Sequence, residues 1–244
     1  CDAVLVACPA VYHKTVVENA LKAGLHVLVE KPLALTGEDA LALADVAEEK
    51  SLVLQVGHQE RLVLEAMGFF DISEQPQSIE AVREGPPTPD GRAGDVSVIW
   101  DLMTHDLDMT ARLMGPGASA RGIGVIKHTN HIDTAVAEIA YPDGRMARLK
   151  ASRAAPDRQR NMTVTYPSGR IHVDFLTRQV ENSTPHVVKG DISGDLPDPL
   201  GAADEAFFAA CLGERETLIP GREAAEAVRL AEQVEQTALE KIGA

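Results

Sequence analysis

The strongest constraint on the fold is the regular alternation of short apolar runs and helical patterns at the start of the chain. Apolar runs at residues 2–7, 26–30 and 52–56 are short, as expected for buried strands. Between them, residues 11–23 and 36–50 repeat apolar side chains at helical spacing. Strand, helix, strand, helix, strand with short links predicts right-handed βαβ units, and therefore a parallel sheet.

Boundary residues support the two helical patterns. Gly24 follows the first pattern and predicts its end, because glycine readily adopts the left-handed conformation that closes a helix. Thr36 precedes the second pattern and Asp39 stands three residues later, which predicts a capping box at its start.

The pattern changes after residue 62. Residues 78–83 alternate, residues 84–95 form a loop rich in proline and glycine, and helices are predicted at 101–114, 202–212 and 222–242. Further strands with period-two alternation follow one another without helical crossovers, so we expect a large, mostly antiparallel open sheet. These strands are predicted at 121–128, 134–140, 145–152, 162–166 and 170–175. The expected architecture is α/β in residues 1–61, followed by an α+β domain in residues 62–244.

Composition excludes several classes of function. A net charge of −14 repels nucleic acid and anionic membrane surfaces, so we expect neither as a partner. No apolar run approaches the roughly 20 residues of a membrane span. No cluster has the spacing of a zinc or magnesium site, so no metal is expected. Cys1, Cys8 and Cys211 are odd in number and lack redox spacing, which favours a reduced, cytoplasmic setting.

Two segments at predicted strand ends are candidates for binding. Glu30-Lys31-Pro32 follows the second strand, and ligands of open parallel sheets bind outside the carboxyl ends of the strands. Cys8-Pro9 and His13 lie where the first strand meets its helix, and a helix N-terminus can receive a phosphate or a ribose. The alternatives are a solvated lysine at a strand end and a surface histidine.

Asp101, His105 and Asp108 form a third candidate. Spacings of four and three place them on roughly one side of a helix. Near a helix N-terminus the dipole favours a neutral imidazole, and neutral is the form that a general base requires. The alternative is a helix-capping aspartate with a histidine on a polar face.

The ordered motifs together resemble the glucose–fructose oxidoreductase, inositol dehydrogenase and MocA family (Gfo/Idh/MocA). The resemblance spans nearly the whole chain. It rests on Cys8-Pro9 with His13, then ALKAGLHVLVEKP at 20–32, Val56-Gly57-His58, Asp101-x-x-x-His105-x-x-Asp108 and GREAAE at 221–226. It implies an incomplete Rossmann-type sheet in the first domain and a domain for substrate binding and oligomerisation in the second.

The resemblance also implies a function. Members are NAD- or NADP-dependent oxidoreductases that move a hydride between a nicotinamide and a sugar, a sugar nucleotide or a polyol. Carried over, Lys31 lies by the nicotinamide and the substrate hydroxyl, His105 takes the hydroxyl proton and Asp101 orients the substrate. The cofactor is expected against Cys8, Pro9, His13 and the segment Glu30-Lys31-Pro32. A homo-oligomer, a dimer or a tetramer, is expected through the open sheet.

GHQER at 57–61 and DLMTHDLD at 101–108 are closer to the branch that acts on nucleotide-linked amino sugars. That branch commonly continues with Phe-Asn-Pro, where this chain has Leu62-Val63-Leu64, so the chain departs from the branch at this point.

The glycine-rich cofactor loop of the family has no counterpart in this sequence. We expect roughly 60 residues of a βαβ unit upstream of a chain that opens on Cys1 within an apolar run. The residue that selects NAD or NADP would lie there. Three hypotheses follow: a dehydrogenase, a non-catalytic binding or regulatory relative, and a dimerisation protein. Only the first requires Lys31, Asp101 and His105 together.

Overall fold

The computed structural model describes residues 1–87 and 94–243, and its first part is the predicted parallel sheet. Strands β1 (Ala3–Val6), β2 (His26–Val29) and β3 (Leu54–Val56) lie side by side in that order, with both pairs parallel. Helices α1 (His13–Lys22) and α2 (Gly37–Glu49) make the two crossovers. The predicted α/β architecture is therefore confirmed.

The helix boundaries follow from single residues. Gly24 ends the first helical segment at φ +80°, as its position predicts. At the start of α2 the Thr36 hydroxyl accepts a hydrogen bond of 3.1 Å from the Asp39 backbone N–H, which is half of the expected capping box. The predicted start of the first helix at residue 11 is wrong, because Ala10–Tyr12 form a separate 3₁₀ turn before α1.

The second part is a seven-stranded sheet in the order β10-β9-β8-β4-β7-β6-β5. All neighbouring strands are antiparallel except β4 and β7, which run parallel. The prediction of a large, mostly antiparallel sheet is therefore confirmed. Its strands are β4 (Ser78–Glu84), β5 (Ser119–Val125), β6 (Thr134–Ala140), β7 (Met146–Ser152), β8 (Gln159–Tyr166), β9 (Gly169–Asp174) and β10 (Gln179–Asn182).

Three features were not predicted. Helix α3 (Glu60–Met67) follows β3 directly, and β10 closes the far edge of the large sheet. The third is a π-helical turn, Ile99–Met103, which leads into α4 (Thr104–Met114) where a single helix from residue 101 was expected. π-Turns carry an extra residue and occur often at functional sites. Of the predicted loop 84–95, residues 88–93 lie outside the described residues.

The last helix joins the two parts of the molecule. After α5 (Pro199–Cys211), helix α6 (Gly221–Ile242) packs between α2 and β5. It approaches β5 closely, because a Cβ on Gly122 would lie 2.7 Å from the Val234 carbonyl oxygen. Side chains of α6 also accept hydrogen bonds from the backbone N–H groups of Gly37 and Ala120, at 2.9 and 2.8 Å. One hydrophobic core consequently runs through both parts.

Candidate active site

The site begins at the carboxyl ends of the three parallel strands. Cys8-Pro9, Glu30-Lys31-Pro32 and Gly57-His58 follow β1, β2 and β3. Pairing continues past the strand ends, since the Gly57 N–H donates to the Val29 carbonyl at 2.8 Å. A Cβ on Gly57 would lie 3.1 Å from a carboxylate oxygen of Glu30, so glycine permits the close approach of these two segments. Parallel pairing therefore gathers the three predicted segments at one edge.

Lys31 reaches from this edge to the second part of the molecule. Its Nζ donates to the Asp101 main-chain carbonyl and lies 3.7 Å from the Asp101 carboxylate. The Lys31 side chain is 17% exposed. Burial lowers the pKa of Lys31, although the charges of Asp101 and Glu60 oppose the effect. The predicted partners Lys31 and Asp101 are thus in contact, and the lysine is displaced toward its neutral form.

His105 lies four residues beyond Asp101, at the start of α4, and its Nδ1 contacts a carboxylate oxygen of Glu60. Burial lowers the pKa of His105 to about 4, against the opposing charge and hydrogen bond of Glu60. The sequence predicts a neutral His105 from the helix dipole. In the structure burial is the largest cause, and the imidazole is neutral at pH 7.

Glu60 belongs to a buried ionic network that the sequence did not predict. Arg83 makes two hydrogen bonds to Asp106, at 3.0 and 3.1 Å, and a third to Glu60 at 2.5 Å. Burial alone would raise the pKa of Glu60, but His105 and Arg83 together outweigh it and hold that pKa well below its usual range. Glu60 is therefore an anion that joins the imidazole to a buried guanidinium.

Asp108 pairs with a buried arginine. Its carboxylate accepts two hydrogen bonds from Arg61, at 3.0 and 2.6 Å, and lies 3.9 Å from His58. It is fully buried and does not line the cavity beside His105. Asp108 thus binds Arg61 on α3, and its helical spacing from Asp101 and His105 does not bring it to the cavity.

His13 holds two of the predicted binding segments together. It is buried, with Nδ1 2.6 Å from the Pro32 carbonyl oxygen and Nε2 2.8 Å from the Cys8 carbonyl oxygen. Both ring nitrogens therefore have protein partners. The geometry fixes the loop that carries Lys31 relative to the end of β1.

A cavity of about 340 Å³ opens beside His105 and Glu60. Its lining includes Arg83 and Leu102. A smaller cavity of about 150 Å³ shares these two residues and Arg160, and is also lined by Asp101. The volume of the larger cavity is in the range of small-molecule sites. The remaining lining combines apolar side chains with two exposed arginines: Gln59, Val63, Met67, Arg160, Phe175, Arg178, Ile192, Leu196 and Pro199.

The two arginines are unusual in a chain with a net charge of −14. No hydrogen bond or ion pair links the side chain of Arg160 or Arg178 to another residue of the described part of the chain. Arg178 also has φ +58°, a left-handed conformation that is strained for a residue other than glycine. Both arginines line the cavity, so its wall offers two guanidinium groups to an anion.

Sequence reasoning missed Glu60 and Arg83, although each left a signal. Arg83 occupies the buried register of β4 with Ile79 and Ala81, and a charge in an apolar register requires a buried partner. Glu60 stands inside the motif GHQER, which the resemblance used only to choose a branch. Neither signal identifies the residues that Glu60 and Arg83 contact, because Glu60 reaches His105 only through tertiary packing.

The residues at this edge fit the reacting end of a nicotinamide cofactor. Lys31 supplies an ammonium and His105 a neutral imidazole, which are suitable groups beside a carbon that exchanges a hydride. The cradle for the pyrophosphate is not encoded in this sequence, which contains no glycine-rich loop before a helix. Among the described residues no cluster of His, Cys, Asp or Glu could hold a metal ion.

Comparisons with known proteins agree with this architecture. Residues 1–58 match the family profile described as "Oxidoreductase family, NAD-binding Rossmann fold". Residues 76–172 match the profile "GFO/IDH/MocA C-terminal domain". The fold also resembles the WlbA dehydrogenase from Bordetella pertussis, solved in complex with NADH and UDP-GlcNAcA, with a TM-score of 0.86, 17% identity, and coverage of 98% of this chain and 78% of that one.

Two curated relatives share more of the sequence. The chain is 37% identical over 215 residues to the UDP-N-acetylglucosamine 3-dehydrogenase of Acidithiobacillus ferrooxidans, across 86% of this chain and 65% of that protein. It is 30% identical over 173 residues to a myo-inositol dehydrogenase of Streptomyces leeuwenhoekii, across 64% of this chain and 52% of that protein. The chain thus spans less than two thirds of the length of these relatives.

A solved structure of the Acidithiobacillus ferrooxidans enzyme superposes with a TM-score of 0.81 at 33% identity, covering 97% of this chain and 78% of that one. Sequence and fold agree, and the chain belongs to the Gfo/Idh/MocA family of oxidoreductases.

Proposed function

We propose that this chain carries the catalytic part of an NAD- or NADP-dependent dehydrogenase that acts on a hydroxyl group of a sugar-like substrate. The observation that supports the proposal is that Lys31 contacts Asp101 at the carboxyl edge of the parallel sheet, while His105 lines the adjoining cavity and contacts Glu60, whose charge acts on both Lys31 and His105. A binding module or a dimerisation protein does not require a lysine of lowered pKa and a neutral imidazole in the same site. The enzyme is therefore favoured over the non-catalytic alternatives.

Each of the three residues has a role in this mechanism. A bound nicotinamide would supply the hydride acceptor for the carbinol carbon, beside Lys31. The neutral imidazole of His105 takes the hydroxyl proton, a contribution of about 10²–10⁴-fold. The ammonium of Lys31 stabilises negative charge on the substrate oxygen, and Asp101 orients both the lysine and the substrate.

We further propose that residues 1–61 serve the cofactor and residues 62–244 the substrate and subunit contacts. Cys8-Pro9 and Glu30-Lys31-Pro32 form the wall toward the nicotinamide. His13 acts through them, because both of its ring nitrogens already contact carbonyl oxygens. Since all three cysteines are free, the reducing cytoplasm is the proposed compartment. Among the described residues no helix is long and apolar enough to cross a membrane.

We infer that the substrate is a sugar nucleotide and not a free polyol. The cavity extends from His105 to the guanidinium groups of Arg160 and Arg178, which suit a diphosphate. The relative of 37% identity is named as a UDP-N-acetylglucosamine dehydrogenase. A free polyol has no anionic group for these arginines.

Reduction of NAD and NADP by the full-length protein tests the proposal, with UDP-N-acetylglucosamine and scyllo-inositol as substrates. Turnover of the sugar nucleotide is expected, and Lys31→Met should lower kcat at least about 10²-fold. Arg160→Gln with Arg178→Gln should raise KM for the sugar nucleotide about tenfold or more. Arg215→Gln, at an exposed arginine that does not line the cavity, is the control. Absence of nicotinamide binding and turnover would contradict the enzyme. Turnover of the polyol alone would contradict the sugar nucleotide.

A further inference from the structure

Two buried arginines in this protein have nearly the same arrangement of partners. Arg61 donates Nε and Nη2 to Asp108, at 3.0 and 2.6 Å, and Nη1 to Glu223 at 2.6 Å. Arg83 likewise donates Nε and Nη2 to Asp106 and Nη1 to a glutamate, Glu60. Both aspartates lie on α4, so the two networks pin the same helix.

The networks differ in what the glutamate does with its second oxygen. Glu223 is about half exposed, at 52%, and contacts no histidine. Glu60 is largely buried, and its Oε2 contacts Nδ1 of His105 while its Oε1 accepts from Arg83. The first network is consistent with a purely structural role. The second network fixes α4 in the same way and also includes His105, which lines the cavity.

The contact determines which nitrogen of His105 can act as a base. An ionised carboxylate beside Nδ1 can only accept a hydrogen bond, so the neutral ring is most stable with its proton on Nδ1. Nε2 then holds the lone pair, and it has no hydrogen-bond partner among the described residues. His105 also lines the cavity. The arrangement leaves the basic nitrogen available to a ligand hydroxyl.

We propose that Glu60 is the positioning residue of His105, holding its reactive tautomer and stabilising the imidazolium that forms during turnover. This inference rests on the proposed dehydrogenase function. As the hydride leaves the carbinol carbon for the nicotinamide, the O–H bond breaks and Nε2 takes the proton. The positive charge that develops on the ring is then beside the Glu60 carboxylate. Arg83 and Asp106 hold that carboxylate in place.

Glu60→Gln makes a distinctive prediction, because Arg83 constrains how the glutamine can sit. The Arg83 Nη1 donor requires the amide oxygen, so the amide NH₂ group faces His105. Nδ1 must then accept, and the ring proton moves to Nε2. The substitution preserves size and shape but reverses the tautomer. Glu223→Gln is the matched control, since it changes the equivalent position of the Arg61 network.

Heteronuclear NMR of the full-length protein, labelled at the histidine ring nitrogens, measures this directly. We expect the wild-type protein and Glu223→Gln to carry the His105 proton on Nδ1, and Glu60→Gln to carry it on Nε2. The His105 signal is assigned by its loss in His105→Gln. Unchanged nitrogen shifts in Glu60→Gln, in a protein with an unchanged unfolding midpoint, would overturn the proposal without reference to activity.

Kinetics provide the second measurement. Glu60→Gln should lower kcat about 10²–10⁴-fold with little change in KM, since a wrong tautomer removes the base and leaves binding intact. Glu223→Gln should stay within about twofold of the wild-type protein. If His105→Gln is inactive but Glu60→Gln turns over normally, the proposal fails and the dehydrogenase stands. If the wild-type protein shows no turnover, the dehydrogenase fails and the NMR result still decides the role of Glu60.

Discussion

His105 and Lys31 are both displaced toward their uncharged forms, and burial is the largest cause in each. The pKa of His105 falls to about 4, whereas the pKa of Lys31 is lowered against the opposing charge of Asp101. A neutral imidazole can accept a proton at pH 7. The same burial that prepares these groups for chemistry carries a cost in stability at acid pH.

The first prediction concerns that cost. The folded-state pKa of His105, about 4, lies below its ordinary value of 6.5, so between these limits the unfolded chain binds the extra proton. The free energy of unfolding therefore falls as the pH falls from 6.5 toward 4, by up to about 3 kcal/mol from this group. His58 contributes in the same direction, because burial lowers its pKa too. His105→Gln should reduce the dependence of the unfolding free energy on pH by the contribution of one proton, and the contribution of His58 should remain.

Urea unfolding of the two proteins between pH 4.5 and 6.5 checks the prediction. Glu60 adds slope in the same direction only toward pH 4.5, because its pKa lies well below 4.5 in the folded protein and at that ordinary value in the unfolded chain. The slopes are therefore compared above about pH 5. His128→Gln, at an exposed position, should reproduce the wild-type slope. Parallel curves for His105→Gln and the wild-type protein would show that burial of His105 does not control acid stability.

At the scale of elements, the site depends on where α4 lies. The π-turn Ile99–Met103 brings Asp101 to Lys31, and the following turns give His105 and Asp106 to the Glu60 and Arg83 network. Helix α6 supports this arrangement from behind by packing against α2, α4 and β5. Its distance from β5 is therefore a sensitive structural parameter.

Gly122→Ala tests that distance. Its Cβ would lie 2.7 Å from the Val234 carbonyl oxygen and 2.8 Å from the Val234 side chain, both on α6. Because the backbone of a packed helix must move to relieve the clash, we expect a loss of about 1–3 kcal/mol in the free energy of unfolding. Gly194→Ala is the control, because a Cβ there meets nothing within 4 Å, and its effect should stay within about 0.5 kcal/mol. Equal urea midpoints for the two variants would refute the argument.

At the scale of the whole molecule, the large sheet is covered on one face and open on the other. On β5, Gly122 and Gly124 face α6 and Ile132, whereas Ile123 and Val125 point away and are 53% and 56% exposed. An exposed apolar strand on a broad sheet is a typical surface for association. We propose a second copy of this chain as its partner, which forms a dimer or the first interface of a tetramer.

Light scattering at micromolar concentration measures this proposal. The wild-type protein should have the mass of two or more chains, and Ile123→Lys should reduce it to one, because a lysine at the centre of the interface would be buried without a partner. Leu212→Lys changes a residue that is 73% exposed at the end of α5, outside the large sheet, and should leave the mass unchanged. A monomeric wild-type protein would rule out the sheet as an interface.

Local sequence patterns predicted most elements of the fold. Strands β6 and β9 and helices α2 and α6 lie within a residue or two of their expected positions, because their periods of two and 3.6 are properties of neighbouring residues. The missed strand β10 is short and mostly exposed, so it carries little apolar pattern. The π-turn has no sequence signal, since it depends on how α4 packs.

The sequence by itself determined the chemistry available to this protein: a lysine after the second strand, an aspartate and a histidine at the start of a helix, and a resemblance that links them. Only the tertiary structure decided how these groups are tuned. Lys31 and Asp101 are 70 residues apart in the chain, and Glu60 meets His105 across two elements. Burial and charge act through space, and a pKa or a tautomer depends on the neighbours that packing supplies, which no local pattern specifies.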